Sequence, residues 1–169
     1  TLPDSGRHKV GLTWSGNRTK LDRSCPFSEF MRLFDVGNVD FFSFQRGEPR
    51  EDIAAHGAEV FVTDLGANLT DFDDDAALVR QLDLVVSIDT AFCHLAGALD
   101  VPCWVLLTPL ADWRFMTDGR ETPWYPSFRL FRMGEHEGWA ECISTVETAL
   151  QSWADAYEKD CNSGPREAR

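Results

Sequence analysis

Short apolar runs alternate with segments of helical spacing along almost the whole chain. Residues 9–14 (KVGLTW) make a β-rich run, followed by a polar loop over 15–25. Pro26 suits the first position of a helix, and Phe27, Phe30, Met31 and Phe34 then recur at helical spacing. A second strand is predicted over 39–45 (VDFFSFQ), ended by Arg46-Gly47, then a short helix over 48–56 closed by Gly57 and a third strand over 59–64. Residues 71–82 predict a helix whose acid-rich first turn complements the helix dipole. Residues 83–88 (DLVVSI) and 102–107 (PCWVLL) are continuous apolar runs, the pattern of strands buried on both faces, with a helix over 90–99 between them. A Trp- and Pro-rich loop spans 108–126, and 127–132 give a last short strand. Over 138–157 an amphipathic helix places Trp139, Ile143, Val146, Leu150 and Trp153 on one side.

Repeated strand–helix units predict an α/β domain over 1–158: a Rossmann-like, doubly wound parallel sheet in three αβα layers, with right-handed crossovers. Residues 159–169 are polar and are expected to form a disordered tail. The first residue is Thr1, not Met, so the chain is expected to be a piece of something longer. In sheets of this kind ligands bind outside the carboxyl ends of the strands. That rule selects the loops 15–25, 45–48, 64–70, 89–93 and 108–126.

Charge narrows the partners. The 169 residues carry 28 acidic and 16 basic side chains, a net charge of -12. Such a balance argues against a nucleic-acid surface, which needs a basic stripe, and against a polybasic membrane anchor. No apolar stretch approaches the roughly 20 residues of a membrane span. The five cysteines are scattered, with no C-x-x-C pair, which argues against a disulfide framework or a zinc knuckle and for a reducing, cytoplasmic setting.

Neither G-x-G-x-x-G nor a P-loop occurs, and there is no nucleophile elbow, so a ligand has to be held by another device. The best candidate is the run SIDTAFCHLAGAL over 87–99. A buried strand ends at Asp89 and Thr90 is placed to cap the next helix, leaving the amides of Ala91, Phe92 and Cys93 pointing out at the strand ends. With the positive end of the dipole they suit a phosphate or pyrophosphate. His94, four residues after Thr90, shares its face. The small run 96–98 suits close packing of this helix on the sheet. The plain alternative is that Thr90 only caps and His94 satisfies a neighbouring carbonyl.

The loop over 15–25 adds Ser15, Asn17, Lys20 and Arg23 beside an adjacent strand end, with Arg23 and Lys20 as cations for phosphate charge. The acidic run 71–75 contains D-x-D but sits where a helix begins, so it is read as a helix start, and neither metal nor cofactor is expected. The aromatics of 108–126 either stack a sugar ring or pack the loop onto the domain.

Taken in order, VGLTWSGN (10–17), Arg23-Ser24-Cys25-Pro26, FSFQRG (42–47), DLVVSIDTAFCHLAGALDVP (83–102), Asp112-Trp113-Arg114 and PWYPSFRLFR (123–132) resemble the C-terminal, donor-binding half of a GT-B glycosyltransferase. The resemblance is to the heptosyltransferase family and to tetratricopeptide-linked bacterial glycosyltransferases. It implies a nucleotide-sugar donor with Thr90, Ala91 and Phe92 at its pyrophosphate, Arg23 at the family's basic position and Lys20 as second choice, and metal-independent, inverting transfer with Arg23 and His94 as the catalytic candidates. It also implies an acceptor site on an N-terminal domain or helical repeats outside this chain. Ala91 departs from the family, which has Gly there. Two other functions stay open on the same scaffold: a non-catalytic binding module, and a nucleotide-sugar epimerase-like enzyme.

Overall fold

The computed structural model describes residues 1–16, 22–69 and 71–161, with side chains to residue 156. Asn17 and Lys20 lie outside the described residues, so nothing structural is said of those two candidates.

Six strands, β1 (His8–Thr13), β2 (Val39–Ser43), β3 (Val62–Asp64), β4 (Leu84–Ile88), β5 (Cys103–Leu107) and β6 (Phe128–Arg132), form one sheet in the order β3-β2-β1-β4-β5-β6. Every neighbouring pair is parallel. The helices are α1 (Phe27–Phe30), α2 (Asp52–Ala55), α3 (Phe72–Val79), α4 (Ala91–Ala98) and α5 (Trp139–Cys161). This is the doubly wound α/β architecture that the strand–helix alternation predicts.

Period-two alternation divides the core into two halves. Leu84, Val86 and Ile88 of β4, with Trp104 and Leu106 of β5, pack with Phe27, Phe30, Ile143, Val146 and Leu150 on the α1 and α5 side. Val85, Cys103, Val105 and Leu107 face the other way, against Val79 of α3 and Phe92, Cys93 and Ala96 of α4. Chain leaving β1 therefore crosses one face and chain leaving β4 the other. Between these two strands the sheet has its topological switch point, where a crevice opens at the carboxyl ends.

Several elements are shorter than predicted. The helix expected over 26–34 is one α turn followed by a 3₁₀ turn, Met31–Asp35, and it stops where Val36 turns extended and Asn38 takes φ +60°. The segment over 48–56 likewise begins as 3₁₀ (Glu48–Glu51) before α2. Residues 59–61 are turn, with Val60 and Phe61 exposed, so β3 keeps only its last three predicted positions. The last helix runs beyond the predicted 157, through the 158/159 boundary to Cys161. Among the described residues no helix is long and apolar enough to cross a membrane.

Candidate functional site

The two strands at the switch point are tied at their carboxyl ends. Thr13 and Ser87 share a buried hydroxyl–hydroxyl hydrogen bond of 2.5 Å. One carboxamide fixes the chain that leaves β1: the N–H groups of Trp14 and Ser15 donate to Gln45 Oε1 at 3.1 and 2.9 Å, and Gln45 Nε2 donates to the carbonyls of Ser15 and Arg46 at 3.0 and 3.1 Å. Gly66 packs on the Gln45 carbonyl so closely that a Cβ there would stand 1.9 Å from that oxygen. Glycine at this position lets the loop after β3 meet the loop after β2. The loop from β1 closes when Cys25 N–H donates to Trp14 O at 2.8 Å, which brings Arg23 back over the strand end.

Arg23 meets Asp89, the residue that follows β4. Its Nη1 donates to Asp89 Oδ2 in an ion pair whose carboxylate is 7 % exposed. On the same carboxylate, Oδ1 lies 3.6 Å from His94 Nε2, and His94 Nδ1 lies 3.2 Å from the Tyr125 hydroxyl. The structure thus brings together Arg23, Asp89, Thr90, Ala91 and His94, which line one cavity of about 420 Å³ with Gly16, Asp112 and Arg114. A second cavity of about 260 Å³, lined by Ser15, Gln45, Arg46, Phe72 and Phe92 among others, shares Gly16, Thr90 and Ala91 with the first. The N-terminus of α4 therefore stands where the two cavities meet.

Thr90 occupies the cap position in extended conformation (φ -140°, ψ 169°), but its side chain makes no capping hydrogen bond. Its hydroxyl lies 3.3 Å from Ser87 Oγ instead. The cap expected of Thr90 is therefore one of position only. With no side-chain cap, the first-turn amides of α4 stay available to a ligand, and the exposed Ala91 methyl leaves the approach open. Ser15 is a different case: it is buried, and its hydroxyl pairs with Ser24 Oγ at 3.0 Å, so it shapes the loop. Phe92 is buried too, its ring stacked on Phe44 at 4.6 Å.

Asp89, Cys93 and His94 offer one ligand atom each, all within 4.8 Å of one another. Their chemistry does not favour a metal ion. Asp89 already holds the Arg23 guanidinium. Cys93 Sγ–H donates to Thr90 O at 3.1 Å, and burial above all pushes its thiol up to about 12, so it is protonated at neutral pH. An entering cation has to displace the thiol proton and to sit beside the guanidinium that pairs the other oxygen of the same carboxylate.

The acidic run divides between two tasks. Asp71 caps α3, its Oδ1 accepting the N–H groups of Asp73 and Asp74 at 3.0 Å each. Asp75, read from the sequence only as charge for the dipole, is buried and accepts Arg46 Nη2 on both oxygens at 2.9 and 2.8 Å. The same nitrogen donates to Asp71 O at 3.2 Å, which draws the start of α3 to the carboxyl end of β2.

The loop over 108–126 was not legible in detail. Arg132 of β6 anchors it from below by donating to the carbonyls of Phe115, Met116, Asp118 and Gly119. Asp112 caps the 3₁₀ turn Trp113–Phe115 and pairs with Arg114 at 2.8 Å. Phe115 is buried, whereas Trp113 and Trp124 are 64 % and 54 % exposed and meet edge to face at 5.4 Å. Two of the small residues of α4 act as expected: Ala96 packs on the sheet, and Gly97 sits so close to it that a Cβ would stand 2.4 Å from Tyr125 Cδ1 and 2.8 Å from Phe128 Cε1 of β6, whereas Ala98 is exposed.

No protein-family model matches the chain. It is 34% identical over 155 residues to Protein FlbA of Caulobacter vibrioides, a match covering 86% of this chain and 25% of that protein, so the chain spans about a quarter of the length of this curated relative. Among solved structures it is similar to Escherichia coli ADP-heptose LPS heptosyltransferase II, with TM-score 0.66 and 19% identity over 91% of this chain and 48% of that one. It is also similar to Escherichia coli heptosyltransferase WaaC with ADP, with TM-score 0.61 and 22% identity over 92% and 46% of the two chains. A family 9 glycosyl transferase from Veillonella parvula follows, with TM-score 0.59 and 15% identity over 89% and 48%. The chain has the fold of roughly half of a heptosyltransferase, the Rossmann-like half-domain of a GT-B architecture that the ordered motifs led us to expect.

Proposed function

We propose that this chain is the donor-binding part of a glycosyltransferase, that it holds a nucleoside diphosphate sugar, and that transfer requires an acceptor site supplied from outside these residues. The observation that carries this reading is the α4 N-terminus: a helix start without a side-chain cap, at the switch point of the sheet, flanked by Arg23 and His94. Similarity of fold to heptosyltransferases, one of them with ADP, supports the choice of ligand class.

Departure of a nucleoside diphosphate builds negative charge on the phosphates. Amides fixed in the first turn of α4 meet that charge without reorganising, and the dipole adds to them. Arg23 uses one of its five N–H donors on Asp89, so the fork that remains is held in place by the carboxylate for phosphate oxygens. His94 supplies a further donor one turn into the helix. Held this way, the leaving group needs no divalent ion, so metal-independent binding belongs to the same proposal.

Calorimetric titration of the chain with ADP, GDP and UDP, and with their sugars, tests it. Saturable binding to one of the three series, unchanged by EDTA, is the expected result. Absence of affinity for all three would favour a binding module on the same scaffold, and loss of binding in EDTA would reinstate Asp89, Cys93 and His94 as metal ligands. If a donor binds, product analysis separates transfer from epimerisation.

A further inference from the structure

His94 is held from three directions. Asp89 Oδ1 faces its Nε2 at 3.6 Å, Tyr125 OH faces its Nδ1 at 3.2 Å, and the Phe115 ring lies over it at 5.8 Å with 21° between planes. The other charged or titratable groups around it are Arg23, on Asp89, the protonated Cys93 thiol, and Asp112 and Arg114 across the cavity. Tyr125 is itself fixed with care. Its ring stacks on Phe128 at 4.5 Å, and it reaches His94 only because residue 97 has no side chain.

A carboxylate accepts hydrogen bonds and donates none. The imidazole nitrogen that faces Asp89 is therefore the one to carry the proton in neutral His94, and Nδ1 is left with a lone pair. Tyr125 completes the arrangement by donating its O–H to that lone pair. The opposite tautomer would turn a lone pair toward the cavity, where phosphate oxygens, also acceptors, would repel it.

We infer that Tyr125 is a positioning residue of the donor site: its hydroxyl holds His94 as the Nε2–H tautomer, and because Asp89 Oδ1 at 3.6 Å orients that N–H from beyond hydrogen-bond distance, the proton stays free for a phosphate oxygen of the diphosphate. This inference rests on the donor reading above. Gly97 belongs to the same device, since a methyl group there displaces the Tyr125 ring.

Long-range ¹H–¹⁵N spectra of the imidazole nitrogens at neutral pH, with His94 assigned by H94Q, test this directly. In the wild-type chain Nε2 is expected to be protonated and Nδ1 to resonate as a hydrogen-bonded lone pair. Tyr125→Phe keeps the ring and should move Nδ1 toward the position of an unbonded nitrogen. Gly97→Ala keeps the hydroxyl and should do the same. A protonated Nδ1 in the wild type, or an Nδ1 resonance that Tyr125→Phe leaves in place, overturns the assignment. Affinity for whichever of ADP, GDP or UDP binds is expected to fall about two- to tenfold in Tyr125→Phe, the range of one net hydrogen bond. Equal affinity alongside a changed His94 spectrum also overturns it. A wild-type chain that binds none of the three but shows the expected spectrum refutes the donor reading, and it upholds Tyr125 as the residue that sets the tautomer.

Discussion

Arg23→Ala is expected to weaken binding of the nucleoside diphosphate by about 1.5–3 kcal/mol, or one to two powers of ten in dissociation constant. Two effects act in the same direction. The phosphates lose a charge-assisted donor, and Asp89, 7 % exposed and relieved of its partner, turns an uncompensated negative charge toward them. Arg23→Lys should fall between the two proteins, because it keeps the charge and loses the planar fork. Titration at fixed salt measures all three, with urea unfolding alongside to separate folding from binding. A dissociation constant that Arg23→Ala leaves unchanged would remove this residue from the site.

Arg46→Ala is expected to destabilise the fold by about 2–3 kcal/mol. Removing one partner of a fully buried ion pair costs about 3–5 kcal/mol, because the remaining charge is stranded. Here Asp75 is 6 % exposed but Arg46 is 43 % exposed, so water offsets part of the loss. Asp73 and Asp74, in the same first turn of the helix, add repulsion once the guanidinium is gone. Urea denaturation should show a lower midpoint at unchanged slope, and Asp75→Asn in the Arg46→Ala background should recover part of the stability. A loss below about 0.5 kcal/mol would class the pair with ordinary surface contacts.

These two arginines also mark the limit of what a linear reading can reach. β4 and β5 were legible because both their faces are buried, which writes an unbroken apolar run into the sequence. The run from Asp89 to His94 was legible because a buried strand, a cap residue and a helix start follow one another without a gap. Val60 and Phe61 misled in the opposite sense: they are apolar and β-prone, yet exposed, so composition overstated β3. Pairings across the sequence left no local trace. Arg23 finds Asp89 66 positions away, and His94 finds Tyr125 31 positions away, because the topology folds loop onto loop at one end of the sheet. Asp75 was read with its neighbours Asp71, Asp73 and Asp74, since a buried acid among exposed ones looks identical until its partner is seen.

The resemblance to glycosyltransferases reached further than periodicity did, because it joined separate loops into one ordered set. At the level of fold the two readings agree. Tyr125, Gly97 and Arg132 entered without tasks of their own: as one of the loop aromatics, as part of a small-residue run and as the end of the last strand. The structure gives them tasks: a hydroxyl on His94, a missing side chain that admits the ring, and a guanidinium that holds four carbonyls of the loop above.

A crystal structure of the chain with the nucleoside diphosphate selected by titration is the most direct measurement. It should place the terminal phosphate on the amides of Ala91, Phe92 and Cys93, with Arg23 and His94 both donating to it. A diphosphate found at the opposite end of the sheet, for instance in the cavity lined by Phe34, Asn38 and Phe61, would contradict the account.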